Sequence, residues 1–203
     1  LDELVEQTLL AQAAFQAGFK LEDAALQKRI DELAAGLGGA QALADWQKRN
    51  FYTDSMLRTA LRRSMAAASM RDTIINAVPR EAEQVHARQI LVLDSATAER
   101  LFKQLEAGAN FATLAFNIDS ETGGDLGWFP KGYLLVPEVE AAAFALQPGK
   151  YSPIIKTSYG FHILQVIEHH QSRPLSVDAY RNMQLQALQS WLKTAREKSQ
   201  IKI

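Results

Sequence analysis

The chain contains no cysteine, which excludes disulfides, thiolate nucleophiles and cysteine-ligated metal sites and leaves the redox compartment open. No stretch approaches the roughly 18 consecutive apolar residues of a membrane span, and no basic-then-apolar leader stands at the start. Excess charge is also missing: 22 lysines and arginines face 23 acids, and the two signs are interleaved. A net charge of −1 offers no basic field to a phosphate backbone, so no nucleic acid partner is expected. What is present is apolar mass. At 203 residues and 47% hydrophobic content, the chain can bury a core as one large domain or two small ones, and disorder is not the default. Its opening, Leu1-Asp2-Glu3-Leu4-Val5, reads as mid-helix without an initiator methionine. This points to a form that has lost upstream residues, so the absent leader excludes nothing.

From Leu1 to about Val78 the apolar period is helical. Leu1, Leu4, Val5, Thr8 and Leu9 define the first stripe, which Gly18 ends. Leu26, Ile30, Leu33 and Leu37 define a second, running into Gly36, Gly38 and Gly39; Trp46 sits in a short third helix. A fourth starts at Thr53 or Asp54, carries Leu57, Leu61, Met65 and Ala68, and is stopped by Pro79. At Glu83 the period changes. Val85 to Leu93 reads as a strand with Val85, Ala87, Gln89, Leu91 and Leu93 on one face. Helices over Ala96–Glu106 and Asn110–Phe116 follow, then two Gly-rich or Pro-containing turns, a helix over Glu138–Leu146, and strands over Ser152–Lys156 and Phe161–Glu168 joined at Ser158-Tyr159-Gly160; with one more strand between the second and third helices the order is β-α-α-β-α-β-β. After Arg173-Pro174 helix returns, with Ser176 as N-cap and Tyr180, Met183, Ala187, Leu188 and Trp191 on one face. A lone helix of that length is marginal in water, so its stripe needs the N-terminal helices as partner. The expected fold is α+β: a mixed unit with a four-stranded antiparallel sheet, over 81–170, inserted into an all-α domain built from 1–80 and 171–203.

Gly123-Gly124-Asp125-Leu126-Gly127-Trp128-Phe129, Val136-Pro137-Glu138, Phe144-Ala145-Leu146-Gln147-Pro148-Gly149 and Tyr159-Gly160-Phe161-His162-Ile163-Leu164 resemble, in order and spacing, the signature of the parvulin-type peptidyl-prolyl isomerases. The resemblance covers somewhat under half of the chain, from about Val85 to Glu168, and the flanking helices resemble the layout of the PrsA- and SurA-like chaperone-isomerases. It implies non-covalent rotation of X-Pro bonds, with no metal or cofactor. It also implies unfolded or proline-containing polypeptides as partners and a place outside the cytoplasm, periplasmic or at the cell surface, with a membrane tether as one form of attachment.

The resemblance also assigns residues. His162 matches the last-strand histidine, whose usual first-strand partner is replaced here: the pattern Ala-Arg-His-Ile-Leu-Val reads Ala87-Arg88-Gln89-Ile90-Leu91-Val92. Glutamine donates and accepts hydrogen bonds but cannot share a proton as histidine does. Independently of the family, Gln89 and His162 are each the odd polar residue on an apolar strand face; if their strands are neighbours, they can satisfy one another. Asp119 matches a position that parvulins fill with cysteine or aspartate, in a loop about two residues shorter than usual. Its alternative reading is a turn aspartate capping its own loop. The matching pocket positions are Leu126, Leu135, Val139 and Phe144, with Thr157 and Tyr159 beside the histidine. Val139 falls where an aromatic normally walls the pocket, and an extra residue in Gly132–Val136 offers Tyr133 or Leu134 as filler.

Elsewhere the reading is structural. His86 faces away from Gln89, His169-His170 are expected in solvent and form no metal site, the glycines near Asp125 match no nucleotide-binding loop, and Trp46 and Trp191 belong to cores. Two functions stand open: an active isomerase with a helical region that grips unfolded chain, or a parvulin fold of weak or lost turnover that holds unfolded segments.

Overall fold

A computed structural model describes residues 2–199; Leu1 of the first expected stripe and the last four residues of the C-terminal segment lie outside the described residues. The chain divides into two compact units, residues 1–78 with 184–203 and residues 79–183, the second division falling inside the last helix. The fold is a mixed α/β unit with flanking helices, its insertion leaving an all-α unit assembled from both ends of the chain.

In the helical unit α1 (Asp2–Gln16), α2 (Asp23–Leu37), α3 (Ala40–Arg49) and α4 (Asp54–Asn76) are followed, after the insertion, by the later part of α8 (Val177–Lys198). Thr53 caps α4, its hydroxyl accepting from the Met56 amide at 3.2 Å. Leu10, Ala11 and Ala14 of α1 bury against Ala66 and Ala67 of α4 and Leu192 of α8, with Leu188 and Trp191 alongside. Leu26, Ile30 and Ala34 of α2 pack with Leu43 and Leu57, flanked by Trp46, Leu61 and Met65. Two expected stripe members are displaced: Leu4 is 50% and Leu37 43% exposed, while the alanines Ala14 and Ala34 are buried. Small residues allow helices to approach closely, and a hydropathy stripe does not anticipate that.

In the second unit β1 (Glu81–Val92), α5 (Ser95–Glu106), α6 (Phe111–Ile118), β2 (Asp125–Pro130), α7 (Pro137–Ala145), β3 (Ile155–Thr157) and β4 (Gly160–Pro174) build one antiparallel sheet of four strands in the order β2-β1-β4-β3. Alternation along the central strands separates two cores. Ile90, Val92 and Ile163 face α5 and α6 through Ala98, Leu101, Leu105, Phe111 and Ala115. Val85, Ala87, Leu164 and Val166 face Phe129 of β2 and Val139 and Ala143 of α7.

Three strand expectations are corrected. Leu93 is not on the strand face; β1 ends at Val92 and Leu93 is 84% exposed, because Asp94 begins the cap of α5 by accepting from the Thr97 amide. The strand expected over Ser152–Lys156 is reduced to Ile155–Thr157, since Pro153 has no N–H to give a ladder; Ser152 instead bonds Leu164 by its amide (2.7 Å) and its hydroxyl (3.0 Å). β4 runs to Pro174 rather than Glu168. Its polar tail shows no apolar alternation, but Glu81 and Ala82 of β1 continue the ladder opposite Pro174 and Arg173.

Candidate active site

The face of the sheet that carries Val85, Ala87, Leu164 and Val166 continues toward one end as Gln89, Leu91 and His162, and there a cavity of about 650 Å³ opens. Gln89 and Leu91 of β1, Leu126 of β2, Val139 of α7, and Tyr159 and His162 at the β3–β4 turn line it. The segment Tyr133 to Val136 and, from the first turns of α8, Asp178 and Asn182 complete it. The volume and the predominantly apolar lining suit a small apolar group with a few polar fixtures.

His162 pairs across the ladder with Leu91, one step diagonal from Gln89, which pairs with Leu164. The diagonal lets a long side chain reach its neighbour. Nδ1 of His162 lies 2.9 Å from Oε1 of Gln89, and Nε2 lies 2.9 Å from Oγ1 of Thr157. Gln89 Oε1 only accepts, so Nδ1 carries the proton and Nε2 accepts from the Thr157 hydroxyl. Thr157 Oγ1 in turn accepts from the Tyr159 amide at 3.1 Å. Every polar atom of the 2% exposed His162 side chain is thereby satisfied in the neutral state. Burial pushes the His162 pKa below its ordinary value of 6.5, with Glu138 acting weakly in the opposite direction.

Glycines hold Gln89 in place. The Gln89 amide donates to the Gly124 carbonyl at 2.8 Å, and a Cβ on Gly124, whose φ is +71°, would stand 2.0 Å from the Gln89 carbonyl oxygen. At the other strand, a Cβ on Gly160 would stand 2.5 Å from the Val92 carbonyl oxygen.

Asp119 is not among the residues that line the cavity. It ends α6, and its carboxylate accepts from the amides of Glu121 (3.1 Å) and Thr122 (3.2 Å) and from the Thr122 hydroxyl. The Thr122 hydroxyl oxygen accepts from the Gly124 amide at 3.1 Å, so Asp119 reaches Gln89 only through the loop it braces. These hydrogen bonds, led by that of the Thr122 hydroxyl, hold its carboxyl below the usual carboxylate range.

Of the pocket positions, Leu126, Val139 and Tyr159 line the cavity, and so does Leu135, which is 91% exposed at its edge. Phe144 does not line it: its ring packs edge-on against Phe129 and His169, with the Lys131 ammonium 5.0 Å from its centroid. His169 is correspondingly not a solvent residue, since it also bonds Glu83 at 2.8 Å. Tyr133 and Leu134 both line the cavity, as Val139 does. Glu140 fixes their segment, accepting from the amides of Gly132 (2.6 Å), Tyr133 (2.9 Å) and Leu134 (2.9 Å). Leu91, Val136, Asp178 and Asn182 also line the cavity and were not anticipated.

A buried histidine held in one tautomer between two strands, at the floor of an apolar cavity beside a Gly-Gly-Asp-Leu-Gly strand, defines a parvulin-type peptidyl-prolyl isomerase domain. The family model for this class, Rotamase (PPIC-type PPIASE domain), matches residues 76–168. The foldase protein PrsA of Caldanaerobacter subterraneus subsp. tengcongensis is 49% identical over 88 residues, 41% of this chain and 28% of that protein. The foldase protein PrsA of Geobacillus sp. (strain WCH70) is 29% identical over 210 residues, 97% of this chain and 74% of that protein. The crystal structure of a peptidylprolyl isomerase (PrsA) from Bacillus cereus shares the fold, with a TM-score of 0.61 at 22% identity over 100% of this chain and 82% of that one. Residues 76–168 thus match the parvulin-type isomerase domain, and the chain as a whole is similar to the PrsA foldases. It spans under a third of the first relative's length and about three quarters of the second's.

Proposed function

We propose that the protein is an extracytoplasmic foldase that accelerates cis/trans rotation of X-Pro bonds in unfolded, proline-containing polypeptides, while its helical unit, residues 1–78 with 184–203, serves as the chaperone-like region. In this reading it works in the periplasm or at the cell surface, with attachment to the membrane as one form. The observation that carries the reading is the apolar cavity closed at its floor by the Gln89–His162–Thr157 hydrogen-bond chain.

Rotation about the prolyl bond breaks amide resonance against a barrier of about 18–20 kcal/mol, and no covalent bond need be made or broken. The planar amide is the charge-separated form, so surroundings that withhold water destabilise it relative to the twisted one. Leu91, Leu126, Leu134 and Val139 supply such surroundings for the prolyl ring. His162 has both ring nitrogens engaged and is neutral above its depressed pKa, so it serves as a fixed polar floor rather than as a proton donor. Gln89 orients it without titrating, and Asp119 acts through the loop that positions Gly124 and hence Gln89.

The replacement of a titratable partner by Gln89 and of an aromatic wall by Val139 favours a second reading, in which turnover is weak and the groove chiefly holds chain. Cis/trans exchange of an unphosphorylated Ala-Leu-Pro-Phe peptide, followed by NMR with the wild type and with His162→Ala, separates the two. Acceleration lost in the variant supports the isomerase; binding without acceleration by either protein supports the holding function.

A further inference from the structure

The cavity has a wall that lies beyond the parvulin match, which ends at residue 168: the first turns of α8. These turns are anchored within the same unit. The Leu175 amide donates to the Arg80 carbonyl at 2.9 Å, and Ser176 Oγ accepts from the Ala179 amide at 3.1 Å, capping the helix. The Arg80 guanidinium sits 5.1 Å from the centroid of the Tyr180 ring, and Ala179 is 1% exposed. With that side of the helix fixed, Asp178 and Asn182, one helical turn apart, fall together on the cavity.

Both differ in kind from the rest of the lining. Asp178 is the one carboxylate among the described lining residues, and no lysine or arginine joins it. The Asn182 carboxamide oxygen is shielded from solvent yet accepts no hydrogen bond among the described residues. A buried acceptor without a donor is unfavourable, so a turn of the carboxamide that presents it at the cavity to an N–H of a bound chain relieves it.

We infer that Asp178 and Asn182 read the residues flanking the proline: Asn182 takes a main-chain N–H of the client, and Asp178 favours a lysine or arginine beside the prolyl bond over an acidic residue. The inference rests on the isomerase reading for its location and deepens it by naming the client class, basic X-Pro segments. A single negative charge facing solvent discriminates modestly, by roughly two- to fivefold between a basic and an acidic side chain at low salt. Screening reduces that ratio as ionic strength rises.

The test compares Ala-Lys-Pro-Phe, Ala-Glu-Pro-Phe and Ala-Leu-Pro-Phe, with exchange rates and binding both read by NMR, on the full chain and its Asp178→Asn and Asn182→Leu variants. The lysine peptide is expected to exceed the glutamate peptide by about threefold in kcat/KM, a ratio that falls toward one in Asp178→Asn and in the wild type at high salt. Asn182→Leu is expected to raise KM for all three peptides and to leave the ratio in place. Equal rates for the lysine and glutamate peptides in the wild type, or a ratio that survives both Asp178→Asn and high salt, would overturn the inference while leaving the isomerase reading intact. Absence of acceleration for every peptide, with tighter binding of the lysine peptide, would sink the isomerase reading and leave this one standing.

Discussion

Replacing Gln89 with leucine tests the structural centre of the site. Leucine is of similar size and suits the apolar face, so the change removes an acceptor with little loss of packing. What it costs follows from His162, whose side chain is 2% exposed and whose Nδ1 finds its partner at 2.9 Å in Gln89. Without that oxygen the Nδ1–H has no acceptor. The ring can adopt the other tautomer and donate from Nε2 to Thr157, which would then turn its own proton toward the Gly160 carbonyl at 3.4 Å, but Nδ1 is then a buried acceptor without a donor. Either tautomer leaves one nitrogen unsatisfied, at about 1–3 kcal/mol, partly offset by the leucine's burial, for a net loss of about 1–2 kcal/mol. Native-state hydrogen exchange is the suitable assay, because a chain of two compact units need not unfold in one step. The Ile163 and Leu164 amides in β4 should lose protection by a factor of roughly 5–30. Nitrogen-15 shifts of His162 should show a protonated Nδ1 in the wild type and a changed tautomer balance in the variant. Protection unchanged in Gln89→Leu, or a wild-type ring protonated at Nε2, would refute the assignment of the chain.

Further outcomes follow from the same geometry. Gly124→Ala places a Cβ 2.0 Å from the Gln89 carbonyl oxygen at a φ of +71°, so it should be destabilising and should slow peptide exchange by displacing Gln89; amide shifts of Gln89 and Ile90 report it. Because burial lowers the His162 pKa below 6.5, the unfolded chain binds a proton that the folded one resists. The associated stability is therefore whole above about pH 6.5 and is lost as pH falls through the folded value, together with the exchange rate; an acid titration by circular dichroism and NMR checks both. Glu140→Gln leaves one oxygen to serve three amides, so the segment carrying Tyr133 and Leu134 should loosen and KM rise more than kcat falls. Asp119→Ala should lower the protection of the Thr122 and Gly124 amides and spare kcat far more than His162→Ala does; an equal loss of kcat would make Asp119 part of the reacting surface.

Legibility in the sequence tracks how local each constraint is. The two sheet faces were readable because alternation is local, and the meeting of Gln89 with His162 followed from each being the one polar residue on its face. The tail of β4 was not readable: its pairing is enforced by the start of β1, about ninety residues away, and its own residues are polar whether paired or free. The diversion of Phe144 was hidden for a related reason. Its matching position implies the pocket, but Phe129 and His169 both pack edge-on with its ring, and His169 comes from that same unreadable tail.

The wall of the cavity shows where pattern reading stops. A residue on the polar side of an amphipathic helix looks the same in sequence whether it meets water or a cleft, so Asp178 and Asn182 carry no local mark of their position. The segment before α7 raises the same difficulty in another form. Beside Val139 the cavity is lined by a tyrosine and a leucine from a loop whose course depends on one carboxylate, Glu140, accepting three backbone amides. In sequence Glu140 is one more acid in the first turn of a helix, where acids are favoured for their own reasons. The extra residue between Gly132 and Val136 indicates that the loop is altered, but only the structure shows that its amides are held by Glu140 and that Tyr133 and Leu134 line the cavity. A cleft held in this way depends on a half-buried polar anchor more than on the size of any one apolar side chain. The Glu140 substitution should therefore weaken client binding more than truncation of Leu135, which is 91% exposed at the edge.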